Sequence, residues 1–333
     1  MAILALGEIL IDFVPQQRGV GLDFVEDFKK RFGGAPANAA VGLGRLEEDV
    51  YFLGQVGEDA FGLFLRETLE NNGVKTDFLE MTGEAPTTLA FVSLEESGER
   101  DFIFYRQPGA DALLSEDVLS EKVFDPTKVL LTGSVSLSSG PAAETTEKAL
   151  AEAKKRGIIT CFDVNYRHFL WPGEEIFADK IHSLLEHIDV LKMNLEELVL
   201  LNGRGGEADL EDGLLSAQAA EVEKAADALL KNGPELVVIT SGSEGCFYKT
   251  GKASGYVAVD SEVEALDTTG AGDAFMAVLV SFINDRAVDF PEGLTEEFLQ
   301  EIMAFANRAG ALTVEEYGAI RGLPSRRQLF SQE

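Results

Sequence analysis

The sequence predicts an α/β protein with a mainly parallel central sheet, and three observations predict it. Short apolar runs alternate with longer amphipathic stretches along most of the chain, as successive βα units do. Amphipathic stretches close on glycine stop signals. One region, residues 85–111, breaks this rhythm with two extended, aromatic-rich runs, which reads as a small β element added to the series. The 333 residues carry no Pro-, Ser- or Gly-rich linker, no repeat at a solenoid period and no low-complexity tract, so 1–333 is read as one large domain.

The candidate buried strands are "ILALGE" (3–8), "VYFLGQVG" (50–57), "KVLLTG" (128–133), "IITCFDVN" (158–165), "DVLKMN" (189–194) and "ELVVIT" (235–240). Between them, "DAFGLFLRETLENNGV" places apolar residues at 61, 64, 65 and 69 before a stop at Gly73, and "TEKALAEAKKRG" stops at Gly157. In 85–111 the two extended runs flank a polar turn at Glu95–Glu99. The acidic, Gly-rich stretch 203–221 reads as an exposed excursion.

Composition excludes several functions. The 58 acidic residues against 28 basic give a net charge of −30, a surface that repels nucleic-acid backbones and anionic lipid, so neither is an expected partner. The acidity itself is read as a solvated surface or, in the sharper alternative, as adaptation to a salty cytosol where salt screens self-repulsion. The apolar opening "MAILALGEILIDFV" lacks a basic leader and is interrupted by Glu8 and Asp12, so it reads as a first strand rather than a signal peptide. No run approaches a membrane span. Two distant cysteines, Cys161 and Cys246, supply neither a disulfide framework nor a zinc site, and the expected location is cytoplasmic.

Two stretches carry chemistry. In "DTTGAGDAFMAVLV" (267–280), Gly270, Ala271 and Gly272 leave the backbone bare at the start of an apolar helix, where unpaired N–H groups and the helix dipole favour an anion. Asp273 stands at the rim, placed to take a proton from an attacking hydroxyl; an ordinary Gly-rich turn with a capping acid would have the same spacing. In "RFGGAPANAAVGLGRL" (31–46), Gly33 and Gly34 precede a helix opening at about Pro36, with Asn38 in its first turn. Bare backbone beside an amide that donates and accepts suits a polyol.

Together these stretches resemble the two signatures of the ribokinase/PfkB family of sugar kinases. "GGAPANAAVGLGRLEEDVYFLGQVGEDAFG" (33–62) is similar to the first and "DTTGAGDAF" (267–275) to the second, and family-like segments run from Gly7 to Pro324. The resemblance implies a ribokinase-like three-layer sandwich with a small β-sheet lid, formed by segments of about 12–34 and 85–111. It implies Asp273 as general base, an anion hole at Gly270, Ala271, Gly272 and the Asp273 N–H, and sugar contacts from Asp12, Gly33, Gly34 and Asn38. "NLEE" (194–197) is similar to the family's N-x-x-E, which places Asn194 and Glu197 on Mg²⁺ and phosphates, often through water; the same spacing also starts helices.

For ATP, the resemblance lays Thr240, Gly242 and Gly245 of "ITSGSEG" along the nucleotide and places Asn307 in the segment holding the adenine. No P-loop motif is present. Asp267, Thr269, Thr313 and Gly318 fall where many members bind a potassium-like cation, although the serine often found a few residues later is Gly322 here. Many relatives also pair through an aromatic lid, so a homodimer is among the implications.

Two further stretches bear on the sugar. In "FDVNYRHFLWP" (162–172), Asp163, Asn165 and Arg167 alternate at the end of a strand and are expected on one side of an extended chain, where open α/β sheets bind ligands; a surface ion pair beside an exposed turn is the plainer alternative. D-x-N-x-R-x-x-L-W-P resembles the family's fructokinases, as does "FYRQPGADALL" (104–114), with Phe104 and Arg106 implied at the sugar and Gly109 where serine is frequent. The expected reaction is transfer of the ATP γ-phosphoryl group to the 6-hydroxyl of D-fructose. A kinase for 2-keto-3-deoxygluconate, whose carboxylate a Tyr105/Arg106 set would grip, is the alternative within the family. A sugar-binding regulator without catalysis is the alternative from another class.

Overall fold

β1 (Ala2–Leu6) shows how the layers form. All five of its residues are buried, and they divide by parity: Ile3 and Ala5 enter one hydrophobic cluster, Leu4 and Leu6 another. A strand buried on both faces needs helices on both sides of its sheet. The protein is described here by a computed structural model covering all residues except 1, 16, 18, 20, 95–99, 204–214, 216, 217, 261, 262, 332 and 333.

In chain order there follow β2 (Leu10–Pro15), β3 (Phe28–Gly33), α1 (Ala35–Arg45), β4 (Val50–Gly57), α2 (Ala60–Asn71), β5 (Lys75–Thr82), β6 (Leu89–Leu94), β7 (Arg100–Tyr105), α3 (Glu121–Phe124), β8 (Thr127–Gly133) and α4 (Pro141–Arg156). The second half holds β9 (Ile159–Asp163), α5 (Glu174–Leu184), β10 (Val190–Asn194), α6 (Leu195–Asn202), α7 (Ala219–Leu230), β11 (Leu236–Thr240), β12 (Gly245–Thr250), β13 (Ser254–Ala258), α8 (Ala271–Asp285), α9 (Glu296–Val314) and α10 (Arg326–Phe330).

The main sheet has nine strands in the order β13-β12-β11-β10-β9-β8-β1-β4-β5. It is parallel from β11 to β5, and the antiparallel pair β12–β13 closes one edge. One face is covered by α1, α2, α8 and α9, the other by α4, α5, α6 and α7, giving the three-layer α/β arrangement. Helix ends follow local chemistry. Asp59 caps α2 by accepting from the N–H groups of Phe61 and Gly62, and α4 ends on Gly157 at φ 68°.

The buried strands lie within a residue or two of their expected bounds. The run expected to stay extended to 165 leaves the sheet at Asp163, and Asn165 turns to φ 39°. Strands β5, β12 and β13 have no continuous apolar run to mark them; the edge strands β5 and β13 keep polar residues on the solvated side.

A second sheet has the order β3-β2-β6-β7, parallel between β2 and β6 and antiparallel elsewhere. Its β6–β7 hairpin is the pair of extended runs read from 85–111; the turn at 95–99 lies outside the described residues. Most of the excursion at 203–221 also lies outside them; Ala219 and Ala220 at its end are exposed as expected, whereas Leu215 within it is not. Leu215 is buried in the core and donates its N–H to Glu244 Oε2 at 2.6 Å, and α7 has begun by Ala219. Cys161 and Cys246 are buried and in no disulfide. No helix among the described residues is long and apolar enough to cross a membrane.

Candidate active site

From β1 the chain builds β4 and β5 on one side and β8 to β11 on the other, so the strand order reverses beside β1. A crevice outside the carboxyl ends of such strands is where open α/β sheets hold ligands. Ala35 and Pro36 from the start of α1, Gly133 and Ser134 after β8, and Asp163 and Asn165 after β9 line a cavity there.

Helix α8 opens at this crevice. Gly270 sits at φ 85°, and a Cβ on it would lie 2.7 Å from the Ala319 carbonyl oxygen, so only glycine fits. The Ala271 N–H turns back to Thr268 O at 3.4 Å, and the helical ladder starts with Ala274 N–H to Gly270 O at 2.8 Å. Gly272 and Asp273 therefore present first-turn N–H groups ahead of that ladder. The arrangement suits an anion.

Asn38 reaches Asp273 from the opposite helix, donating from Nδ2 to Oδ2 at 2.7 Å. One turn further along each helix, a Cβ on Gly42 would stand 2.7 Å from Ala277 Cβ. The bare Gly42 thus lets α1 and α8 approach closely enough for the polar pair to meet. Asp273 is half-covered, yet desolvation dominates its surroundings and lifts its pKa to about 6. The negative charge of Asp163 adds to the rise, while the Asn38 hydrogen bond, Lys192 and Arg167 oppose it.

The turn before α1 is held by Glu8, whose Oε1 accepts the Ala35 N–H at 2.8 Å. Gly34, at φ 105°, has no room for a Cβ against the Glu8 carbonyl, and a Cβ on Gly33 would collide with the Asp12 carboxylate. Burial pushes Glu8 up to about 7. Arg31, Asp12, Ala90 and Phe104 form one row across the four strands of the second sheet. Phe104 in that row packs on Phe169 with ring centroids 4.9 Å apart, joining β7 to the segment after β9.

Arg106, expected at the sugar, is tied down within the protein. Its side chain is 3% exposed, with Nε and Nη2 each 2.8 Å from Asp111 Oδ2 and Nη1 donating to Ser138 Oγ at 2.8 Å. Thr88 Oγ1 binds the other Asp111 oxygen. A Cβ on Gly109 would overlap Thr88 Oγ1, so glycine there is what admits this cluster. The expected alternation of Asp163, Asn165 and Arg167 also fails, because the chain turns at Asn165. Asp163 instead holds the Lys192 ammonium with Oδ1 at 3.0 Å and Oδ2 at 3.1 Å. Arg167 remains close enough to act on the charge of Asp273.

Asn194 and Glu197 form a full capping box at the start of α6. Asn194 Oδ1 accepts from the Glu197 N–H at 2.7 Å, Glu197 Oε2 from the Asn194 N–H at 2.8 Å, and Glu197 Oε1 from the Tyr166 N–H at 2.7 Å. The pair therefore ties the ends of β9 and β10 together. Burial and the nearby Asp163 raise the Glu197 pKa. All three oxygens accept backbone N–H groups, and among the described residues no three His, Cys, Asp or Glu converge on a metal position. This donor set does not fit Mg²⁺ bound directly; contact through water is what it leaves.

Thr240 pairs with Asn194 across β10 and β11, beside Gly242 at φ 49° and Gly245 at φ 112°. Asn307 donates from Nδ2 to Val257 O at 2.8 Å, tying α9 to β13. Asp267 accepts from the Thr269 N–H at 2.9 Å and hydroxyl at 2.6 Å, and from the Gly318 N–H at 2.9 Å. Buried Thr313 donates to Ala309 O at 2.8 Å. A Cβ at Gly322 would lie 2.3 Å from the Thr313 carbonyl oxygen, so a serine does not fit that backbone.

A profile for the pfkB family of carbohydrate kinases matches residues 2–326. The chain belongs to the pfkB family of carbohydrate kinases. It is 41% identical over 324 residues to the probable fructokinase-6 (chloroplastic) of Arabidopsis thaliana, covering 97% of this chain and 80% of the relative. The crystal structure of the Xylella fastidiosa fructokinase with bound ATP superposes with a TM-score of 0.83 at 32% identity, covering 98% of this chain and 96% of that one. A Vibrio cholerae fructokinase double mutant bound to fructose, ADP and potassium gives 0.83 at 28% identity, covering 99% and 97%.

In this pfkB-family kinase, sequence reading passed over Lys192, Glu8, Asp111 and Ser138. Lys192 had a signal, a lone cation inside the apolar run "DVLKMN". Asp111 closes the fructokinase-like "FYRQPGAD" run without being singled out there, and Ser138 had no signal, since only the fold sets it against Arg106.

Proposed function

We infer that the chain is an ATP-dependent fructokinase, transferring the γ-phosphoryl group to the 6-hydroxyl of D-fructose, with Asp273 as the base. The observation that carries the reading is Asp273 itself: a carboxylate in the first turn of α8, held by Asn38, with a pKa of about 6. Such a group is ionised at neutral pH and still basic enough to take a proton. Asp273 accepts the hydroxyl proton as the sugar oxygen bonds to the γ-phosphorus. The bond from that phosphorus to the bridging oxygen breaks, and ADP keeps its electron pair. The first-turn N–H groups of α8 stabilise the charge spreading over the phosphoryl oxygens.

Asp12, Gly33, Gly34, Asn38, Asn165 and Arg167 are proposed to hold the sugar, with Phe104 covering it. The second sheet is proposed as a lid that excludes water, supported by the row Arg31–Asp12–Ala90–Phe104 and its ring contact with Phe169. A neutral sugar is favoured over a ketodeoxy acid because the Arg106 guanidinium is engaged with Asp111 and Ser138, while Tyr105 is 63% exposed. Thr240, Gly242 and Gly245 are proposed to lie along ATP, and Asn194 and Glu197 to meet Mg²⁺ through water, where the ion would offset phosphate charge. The Asp267–Thr269 and Thr313–Gly318 loops are proposed to take a monovalent cation, in keeping with the potassium-bound Vibrio relative.

The edge strand β7 of the second sheet exposes Ile103 and Tyr105, and is proposed as a homodimer contact. Two buried cysteines outside any disulfide agree with a reducing cytoplasm. The test is a coupled ADP-release assay across fructose, ketodeoxygluconate, ribose, adenosine and glucose. Turnover highest with fructose is expected; none with any sugar would leave a binding protein without catalysis.

A further inference from the structure

Lys192 is a buried cation in the interior of the main sheet. It sits in the middle of β10, between Leu191 and Met193, and is 6% exposed. An ammonium in such a place is costly unless it is paired. Asp163 provides that pairing, but a neutralising partner explains only one side of the group. On the other side, Nζ lies 3.1 Å from the position a Cβ would occupy on Gly272. Any side chain at 272 would crowd the ammonium, so the glycine admits Lys192 to the start of α8 as well as baring the backbone. An ammonium has three N–H donors, and Asp163 accepts through two oxygens at 3.0 and 3.1 Å. The charge is also felt by Asp273, whose pKa it lowers.

We propose that Lys192 is a catalytic residue: its ammonium touches the transferring phosphoryl group beside the first-turn N–H groups of α8. The assignment rests on the kinase reading above. Backbone N–H groups supply partial charges, whereas the transferring phosphoryl group carries full negative charge spread over three oxygens. A fixed ammonium in a water-poor site stabilises that charge without reorganising. Asp163 then has two tasks. It keeps Lys192 charged while the site is empty, and it aims Nζ at Gly272.

The deciding measurement is nucleotide discrimination without sugar, so that contacts to the sugar do not enter. Isothermal titration with AMP-PNP and with ADP gives a ratio of affinities that reports on the γ-phosphoryl group alone. In Lys192→Gln the preference for AMP-PNP is expected to fall about tenfold, and kcat with fructose by about 10²-fold or more. A ratio unchanged from wild type overturns the proposal, because a purely structural lysine would weaken both nucleotides alike. If Lys192→Gln fails to fold, leaving Asp163 as an unpaired buried charge, the same ratio is compared between Asp163→Asn and Asp163→Asn/Lys192→Gln. That pair differs only in the lysine, and an equal ratio in the two again overturns the proposal. Fructose turnover by the wild-type enzyme tests the kinase reading separately.

Discussion

Asn38 and Asp273 stand 235 positions apart and meet through one hydrogen bond, Nδ2 to Oδ2 at 2.7 Å. That bond stabilises the ionised carboxylate, against burial and the charge of Asp163, which oppose it. Removing the amide in Asn38→Ala is expected to raise the Asp273 pKa. A hydrogen bond to a charged group is worth roughly 1.5–3 kcal/mol, so the acid limb of kcat/KM should move up by about one to two pH units. A pH–rate profile checks this, and an unmoved limb would separate Asn38 from the base.

Asp273→Asn should lower turnover by about 10²-fold or more while leaving ATP affinity nearly intact. In the wild type, kcat/KM should be level above about pH 6 and fall below it as Asp273 takes up a proton. Stability runs the other way. The folded pKa of about 6 exceeds the ordinary 3.8, so this group's contribution is fully present below the unfolded value and is lost as pH rises through the folded one. At pH 7.5 the asparagine variant should therefore melt no lower than the wild type, as calorimetry would show.

The contact between α1 and α8 at Gly42 and Ala277 sets the distance between base and amide. Gly42→Ala would bring two Cβ atoms within 2.7 Å unless the helices separate. Overpacking of this kind costs roughly 1–3 kcal/mol. The variant is expected to lose activity along with stability, and Gly42→Ala/Ala277→Gly to recover both. Denaturant titration and initial rates on the two variants would reveal a failure to recover.

Glu197 serves two backbone donors, the N–H groups of Asn194 and Tyr166. Glu197→Ala leaves both without their acceptor and should cost about 2 kcal/mol or more in urea unfolding. Glu197→Gln keeps one carbonyl oxygen and should cost less. Equal stability of all three proteins would contradict the tie between β9 and β10.

The sequence by itself determined the succession of the six buried strands and the β6–β7 pair, the bare starts of α1 and α8, and the family. Each of these is local: apolar periodicity, glycine placement and contiguous signatures are properties of neighbours along the chain. It also marked Asp273 and Asn38 separately. Only the tertiary structure decided that they touch, because their meeting depends on two small residues a turn further along, Gly42 and Ala277, facing one another across helices. The same holds where expectation and structure part. Arg106 looked free for the sugar until the fold set Asp111 and Ser138 against it, and Lys192 looked like one residue of a buried strand until Asp163 and Gly272 closed on its ammonium from either side. Hydrogen bonds and charge pairs act over a few ångströms in space, and which groups come within that range is set by packing rather than by spacing in the chain.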